Sequence, residues 1–178
     1  GTLRQTSGPL DWALQGKGYF QVELPNGLIA YTRSGAFKLS ANGEIVTMDG
    51  FIVQPAITVP EDATNIAVSE FGEVQVTIDG QIQPQLLGQL EIASFINPPG
   101  LDAIGNNMFL ETPASGVPIL GLAGELGVGT ILQGFLENSN VNPVTEITNL
   151  IVAQRSYEMN SKVITATDEM LQALNQSA

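Results

Sequence analysis

The sequence predicts a mainly β protein: an antiparallel β-rich domain over residues 1–141, then a long C-terminal amphipathic α-helix over residues 142–178. Three observations predict it. Short alternating apolar runs are punctuated by Asn-Gly and Asp-Gly pairs up to about Phe135. No glycine or proline follows Pro143. Leu150, Tyr157, Ile164 and Leu171 recur every seven residues.

The β region reads as follows. Tyr19-Phe20-Gln21-Val22-Glu23-Leu24 alternates and meets a turn at Pro25-Asn26-Gly27. Asn-Gly favours the left-handed backbone that tight hairpins need. Leu28 to Arg33 returns as a strand. Ala36 to Leu39 runs to Asn42-Gly43, Glu44 to Thr47 runs to Asp49-Gly50, and Phe51-Ile52-Val53 closes the group. Val74 to Ile78 alternates cleanly before Asp79-Gly80, and Leu90 to Phe95 alternates before Asn97-Pro98-Pro99-Gly100. Strands this short, with turns this frequent, argue for local antiparallel hairpins.

The helix carries its own start signals. Asn142 suits the N-cap, Pro143 the first helical position and Glu146 the first turn. Ile147, Ile151, Val163, Met170 and Leu174 widen the seven-residue stripe. Glu158 and Lys162 are spaced for an i,i+4 ion pair. Roughly eight turns reach about 45 Å, more than a β-domain of this size covers. The stripe therefore asks for another helix, because a seven-residue period matches a coiled-coil seam. Packing along its own β-domain is the plainer alternative. Gln154, Ser161 and Asp168 form a polar companion row, which weakens a simple dimer but can fix register in a larger assembly.

Composition removes several function classes. The chain has no His and no Cys, so thiolate metal sites, disulfides and Ser-His-Asp or Cys-His chemistry are impossible. Its net charge is −12, with six basic residues in all, which argues against nucleic acid and anionic membrane as partners. No run is apolar and long enough to span a bilayer, and the N-terminus lacks the build of a signal peptide. It also lacks an initiator Met, which suggests a processed or cut chain.

The glycine-rich stretch Gly121 to Gly129 lacks dinucleotide-fingerprint spacing and a following Gly-Lys-Ser/Thr, so it reads as a mobile or bulged loop. Glu61-Asp62 and Glu70/Glu73 are the nearest approach to a glycosidase carboxylate pair, yet both sit in turn-like sequence. No calcium-loop run is present. No catalytic, cofactor or metal site is expected. Between Lys38 and Arg155 acids continue without a single basic residue. Glu61, Asp62, Glu70, Glu73 and Asp79 are thus candidates for an acidic surface that faces a basic partner; simple solubility is the alternative.

Two blocks carry a specific resemblance. The first is Leu10-Asp11-Trp12-Ala13-Leu14-Gln15-Gly16-Lys17-Gly18-Tyr19-Phe20, continued by Tyr31-Thr32-Arg33-Ser34-Gly35-Ala36-Phe37. The second is Gln133-Gly134-Phe135-Leu136-Glu137-Asn138-Ser139-Asn140-Val141-Asn142, continued by Ile151 to Lys162 and by Thr167-Asp168-Glu169-Met170-Leu171. In order and spacing they resemble the bacterial flagellar basal-body rod and hook family. The run Arg155-Ser156-Tyr157-Glu158-Met159-Asn160-Ser161-Lys162 stands nearest the distal rod branch, with a proximal rod or hook paralogue as the alternative.

The resemblance implies a structural subunit, not an enzyme, that polymerises into a hollow helical rod and transmits torque. It implies no cofactor. It implies proximal rod proteins and the hook protein as neighbours, peptidoglycan-layer and outer-membrane rings around the rod, a periplasmic location, and delivery by the flagellar type III export apparatus. No direct membrane insertion is expected. Ile147, Leu150, Ile151, Tyr157, Ile164 and Leu171 would line the inner tube. The family's N-terminal partner helix is expected to be absent from this chain. The rivals from other classes are a β-rich ligand-binding or adhesive module on a helical stalk and a carboxylate-dependent glycosidase.

Overall fold

The computed structural model describes residues 1–139 and 143–176, with 143–147 described by backbone alone. The N-cap expected at Asn142 lies outside the described residues, as do the side chains of Pro143, Glu146 and Ile147. The chain divides into two compact units, Gly1–Asn138 and Ser139–Ala178. The first is built of strands and the second holds the helix, the mainly β plan that the turn pattern and the seven-residue stripe predict.

The strands are β1 (Leu3–Gln5), β2 (Trp12–Gln15), β3 (Tyr19–Glu23), β4 (Ile29–Thr32), β5 (Phe37–Leu39), β6 (Ile45–Thr47), β7 (Ile52–Gln54) and β8 (Ala63–Val68). They continue as β9 (Glu73–Ile78), β10 (Gln85–Gln89), β11 (Glu91–Ser94), β12 (Asp102–Gly105), β13 (Met108–Leu110), β14 (Ile119–Leu122), β15 (Thr130–Gln133) and β16 (Phe135–Glu137). The largest sheet runs β12-β13-β4-β3-β7-β6-β5, with β11 on β3 and β14 on β11. A second sheet is β10-β9-β8, and two ribbons pair β15 with β2 and β1 with β16. Every ladder is antiparallel.

Four hairpins share one turn. In each, a backbone N–H donates to the carbonyl four residues on: Leu24 to Leu28, Ser40 to Glu44, Thr47 to Phe51 and Ser69 to Glu73. The residue before the closing one is always a glycine with positive φ, at Gly27, Gly43, Gly50 and Gly72. This is the three-residue loop that ends in a left-handed position, and only glycine enters it without cost. Asn26-Gly27, Asn42-Gly43 and Asp49-Gly50 therefore act as the sequence predicts. Phe71-Gly72 does the same without an Asn or Asp to announce it.

The core follows from period two. Tyr19 and Phe20 are adjacent on β3, so they point to opposite faces. Phe20 joins Phe37 and Trp12, with edge-on ring contacts of 5.2 Å (Phe20–Phe37) and 5.1 Å (Trp12–Phe37). Around them lie Leu14, Val22, Ile45, Val53, Val74, Val76, Leu90, Ile92 and Ile131, all buried. Tyr19 joins the other face, where Tyr31, Ala93 and Phe95 form a smaller cluster. The aromatic residues Phe20 and Phe37 on one face, and Tyr31 with the partly buried Tyr19 on the other, are thus split across one sheet. Trp12 meets the polar requirement of a fully buried indole by donating its Nε1–H to the Pro9 carbonyl at 3.0 Å.

The glycine-rich stretch is a correction. Gly121 and Leu122 belong to β14, paired with β11. The remainder is a loop closed by backbone hydrogen bonds. Glu125 N–H donates to Leu122 O, Val128 N–H to Glu125 O and Gly124 N–H to Gly129 O. The Glu125 carboxylate also accepts from Leu122 N–H at 3.0 Å. Gly124 and Gly127 take positive φ, so the glycines serve backbone geometry here.

Candidate functional site

Helix α1 (Pro143–Gln176) has 34 residues. At about 1.5 Å per residue it is roughly 50 Å long. Leu150, Tyr157, Ile164 and Leu171 fall on one face because seven residues make nearly two whole turns. All four are more than half exposed, and Ile151 beside them is 46% exposed. Large apolar groups in a row are normally covered, so an open row of this length is a candidate contact face. Ile147, the first residue of the expected stripe, has no described side chain.

Three helix hydroxyls bond within the helix. Ser156, Thr165 and Thr167 donate their hydroxyls to the carbonyls four residues back, at Val152, Ser161 and Val163. These three hydroxyls are thus satisfied within the helix. The i,i+4 pair of Glu158 with Lys162 does not close: among the described residues the ion pairs all centre on Glu137. An exposed pair of this kind gains only a few tenths of a kcal/mol, about what holding two long side chains costs.

The acidic candidates fall into two groups. Glu61, Asp62 and Asp79 lie at one end of the β8–β9 hairpin, where Asp79 N–H donates to the Asp62 carbonyl. Glu70 and Glu73 lie at the other end, at the hairpin turn. Six residues of strand, about 20 Å, separate the groups. All are exposed except Glu73, which is half-buried. Neither group faces the other across a cleft, as a glycosidase requires.

A cavity of ≈ 260 Å³ opens beside Thr32, Ser34, Asp49, Asn106 and Asn107. Its lining holds no aromatic ring, which a carbohydrate- or peptide-binding module would normally present. No cluster of His, Cys, Asp and Glu with metal-ligand geometry occurs among the described residues.

One polar cluster was not singled out from the sequence. Arg33, just past β4, gathers four stretches of chain. Its Nη1 donates to the carbonyls of Gly16 and Gly18, both at 2.8 Å. Its Nη2 donates to Leu14 O at 3.2 Å. Its Nε donates to Glu137 Oε2 at 2.9 Å, and Nη2 lies 2.9 Å from the same oxygen. The Gly1 amino group stands 2.6 Å from Glu137 Oε1. Burial pushes the Glu137 carboxyl up; the hydrogen bond from that amine and the charge and hydrogen bonds of Arg33 outweigh it and hold the group below its usual range. Arg33 was visible only as part of Tyr31-Thr32-Arg33, and its partner lies 104 residues away.

Comparison with known proteins places this geometry. Residues 13–76 match the flagellar hook protein FlgE/F/G D1 domain. Residues 132–177 match the flagellar basal body rod FlgEFG protein C-terminal domain. The chain is 56% identical to flagellar basal-body rod protein FlgG of Caulobacter vibrioides, over 99% of its own length and 67% of that protein's. It is 40% identical to FlgG of Bacillus subtilis, over 96% of its length and 66% of the relative's. It is also 40% identical to the flagellar hook protein FlgE of Escherichia coli, over 65% of this chain and 28% of the hook protein. The chain belongs to the flagellar basal-body rod protein FlgG family.

Proposed function

We propose that this chain is a structural subunit of the distal rod of the bacterial flagellum, assembled as a helical tube that carries torque from motor to hook. The observation that carries this reading is the exposed seven-residue stripe on α1 in a chain of the rod family. The stripe supplies repeated helix-to-helix contacts along the tube, with Ile147, Leu150, Ile151, Tyr157, Ile164 and Leu171 as its contact residues. Residues 1–141 form the outer β-domain and 142–178 the inner helix. The work is mechanical and not catalytic. Stiffness comes from many copies of the same interface, each resisting twist.

The neighbours that fit this role are proximal rod proteins below and the hook protein above. The peptidoglycan-layer and outer-membrane rings surround the shaft, and the export apparatus delivers subunits. The acidic residues Glu61, Asp62, Glu70, Glu73 and Asp79 are candidates for the surface that faces the rings.

The test replaces Leu150, Tyr157, Ile164 and Leu171 with Ser, singly and together, at the native locus. Rods and filaments should be lost progressively, while the β-unit melts at an unchanged temperature. Normal rods from the fourfold variant would overturn the assignment of this face.

A further inference from the structure

We infer that Arg33 and Glu137 form a latch that passes mechanical load from the helical unit into the β-unit. The proposal rests on the rod reading and names the residues through which force crosses.

The chain leaves the β-unit along β16, whose last residue is Glu137. Among the described residues β16 pairs with β1 alone, through three residue pairs: Leu3 with Glu137, Arg4 with Leu136 and Gln5 with Phe135. A two-stranded ribbon this short is marginal by itself. Beyond it, Asn138 donates its N–H to Thr2 O and its Nδ2 to the Thr2 hydroxyl, ties that lengthen the same ribbon without joining it to the rest of the β-unit. Tension applied from the helical side reaches Asn138 and Glu137 first. Peeling a ribbon breaks its contacts one at a time from the pulled end. The force it withstands is therefore set by the tie at that end.

At that end sits the ion pair. The Glu137 carboxylate accepts from Nε of Arg33 at 2.9 Å, and Nη2 forms an ion pair with the same oxygen at 2.9 Å. Both side chains are mostly shielded, with exposures of 15% for Glu137 and 26% for Arg33, so solvent screens the pair less than at an open surface. The other Arg33 donors grip the carbonyls of Leu14, Gly16 and Gly18. Leu14 lies in β2, which pairs with β15 through four residues and is buried against the core. Gly16 and Gly18 both hold positive φ, a backbone that glycine adopts freely. Load at Glu137 therefore spreads into β2, into the turn before β3 and into the exit of β4. Lysine cannot do this, because a single ammonium lacks the planar fork that reaches carboxylate and carbonyls together.

The experiment uses Glu137→Gln, which keeps the shape and removes the charge, and Arg33→Lys, which keeps the charge and removes the fork. Both are introduced at the native locus. In purified chain, amide exchange at Leu3–Gln5 and Phe135–Glu137 should quicken roughly ten-fold, with Glu73–Ile78 unchanged. In cells, flagellar number and swimming in dilute medium should stay normal. In medium of raised viscosity both variants should lose motility more steeply than the parent. A parent-like exchange pattern, or equal performance at high viscosity, would overturn the latch. If Glu137→Gln blocks rod formation, Glu137→Asp replaces it in the same comparison. Deleting the whole chain separates the two levels: flagellated deletion cells would sink the rod reading, whereas non-flagellated deletion cells with load-insensitive variants would sink the latch alone.

Discussion

Gly35 lies flat against the backbone of Trp12: Trp12 N–H donates to the Gly35 carbonyl at 2.9 Å, and a β-carbon on Gly35 would overlap the Trp12 carbonyl. The glycine is needed for closeness and not for an unusual φ. Gly35→Ala must push apart the strand that carries the indole and the one that leads into Phe37. We expect a loss of about 3 kcal/mol, at the upper end of overpacking costs. Urea unfolding should show a lower midpoint with an unchanged slope.

Gln133 ties three segments through one side-chain amide. Its Nε2 donates to Pro9 O at 2.7 Å and to Ile66 O at 2.8 Å, and its Oε1 accepts from Val68 N–H at 3.1 Å. Gln133→Glu keeps the size but replaces both donors with an oxygen that faces two carbonyls. The expected cost is about 2–3 kcal/mol, the range for leaving such groups unpaired. Gln133→Met should cost less, because it removes the amide without adding a charge. Thermal melts of the two variants decide the order.

Period and turn chemistry were legible because they are local. Asn26-Gly27, Asn42-Gly43 and Asp49-Gly50 mark their hairpins within four residues. Val74, Val76 and Ile78 show by alternation which face of β9 is buried. The stripe of α1 was readable for the same reason. β2 and β15 were not, since Trp12 meets Gln133 only through the folded topology. The short β1 and β16, and the Arg33–Glu137 pair, were hidden for the same cause. Gly121-Leu122 misled in the other direction: glycine density suggested a loop, while pairing with β11 makes a strand. Contacts of long sequence separation leave no local period to read.

The Glu137 carboxyl is held below its usual range, and this sets a pH dependence. A depressed folded value means that the stabilisation is complete above the ordinary glutamate range, near 4.3. It is lost as pH falls through the lower folded value. The stability gap between the parent and Glu137→Gln should therefore be constant at neutral pH and close in acid below that range. Melting curves from pH 7 to pH 3 test this. A gap that widens in acid would contradict the assignment.

The two acidic groups on the β8–β9 hairpin make separable predictions about the rings. They stand about 20 Å apart, and at physiological salt the field of an exposed charge fades within about 8 Å. Each group therefore acts by itself. A shaft that turns inside a ring benefits from attraction that is smooth on the scale of single contacts, whereas interlocked apolar side chains would resist every step. Glu61, Asp62 and Asp79 are all exposed, while Glu73 is half-buried, so the first group is the better candidate to face a basic inner wall. We expect triple reversal to Lys at Glu61, Asp62 and Asp79 to reduce ring formation and swimming while rods still form. Reversal at Glu70 alone should have a smaller effect, because one charge carries less of the field. Ring counts on isolated basal bodies, read beside swimming speed, give the answer. Full ring occupancy and normal speed in the triple variant would show that these acids serve solubility alone.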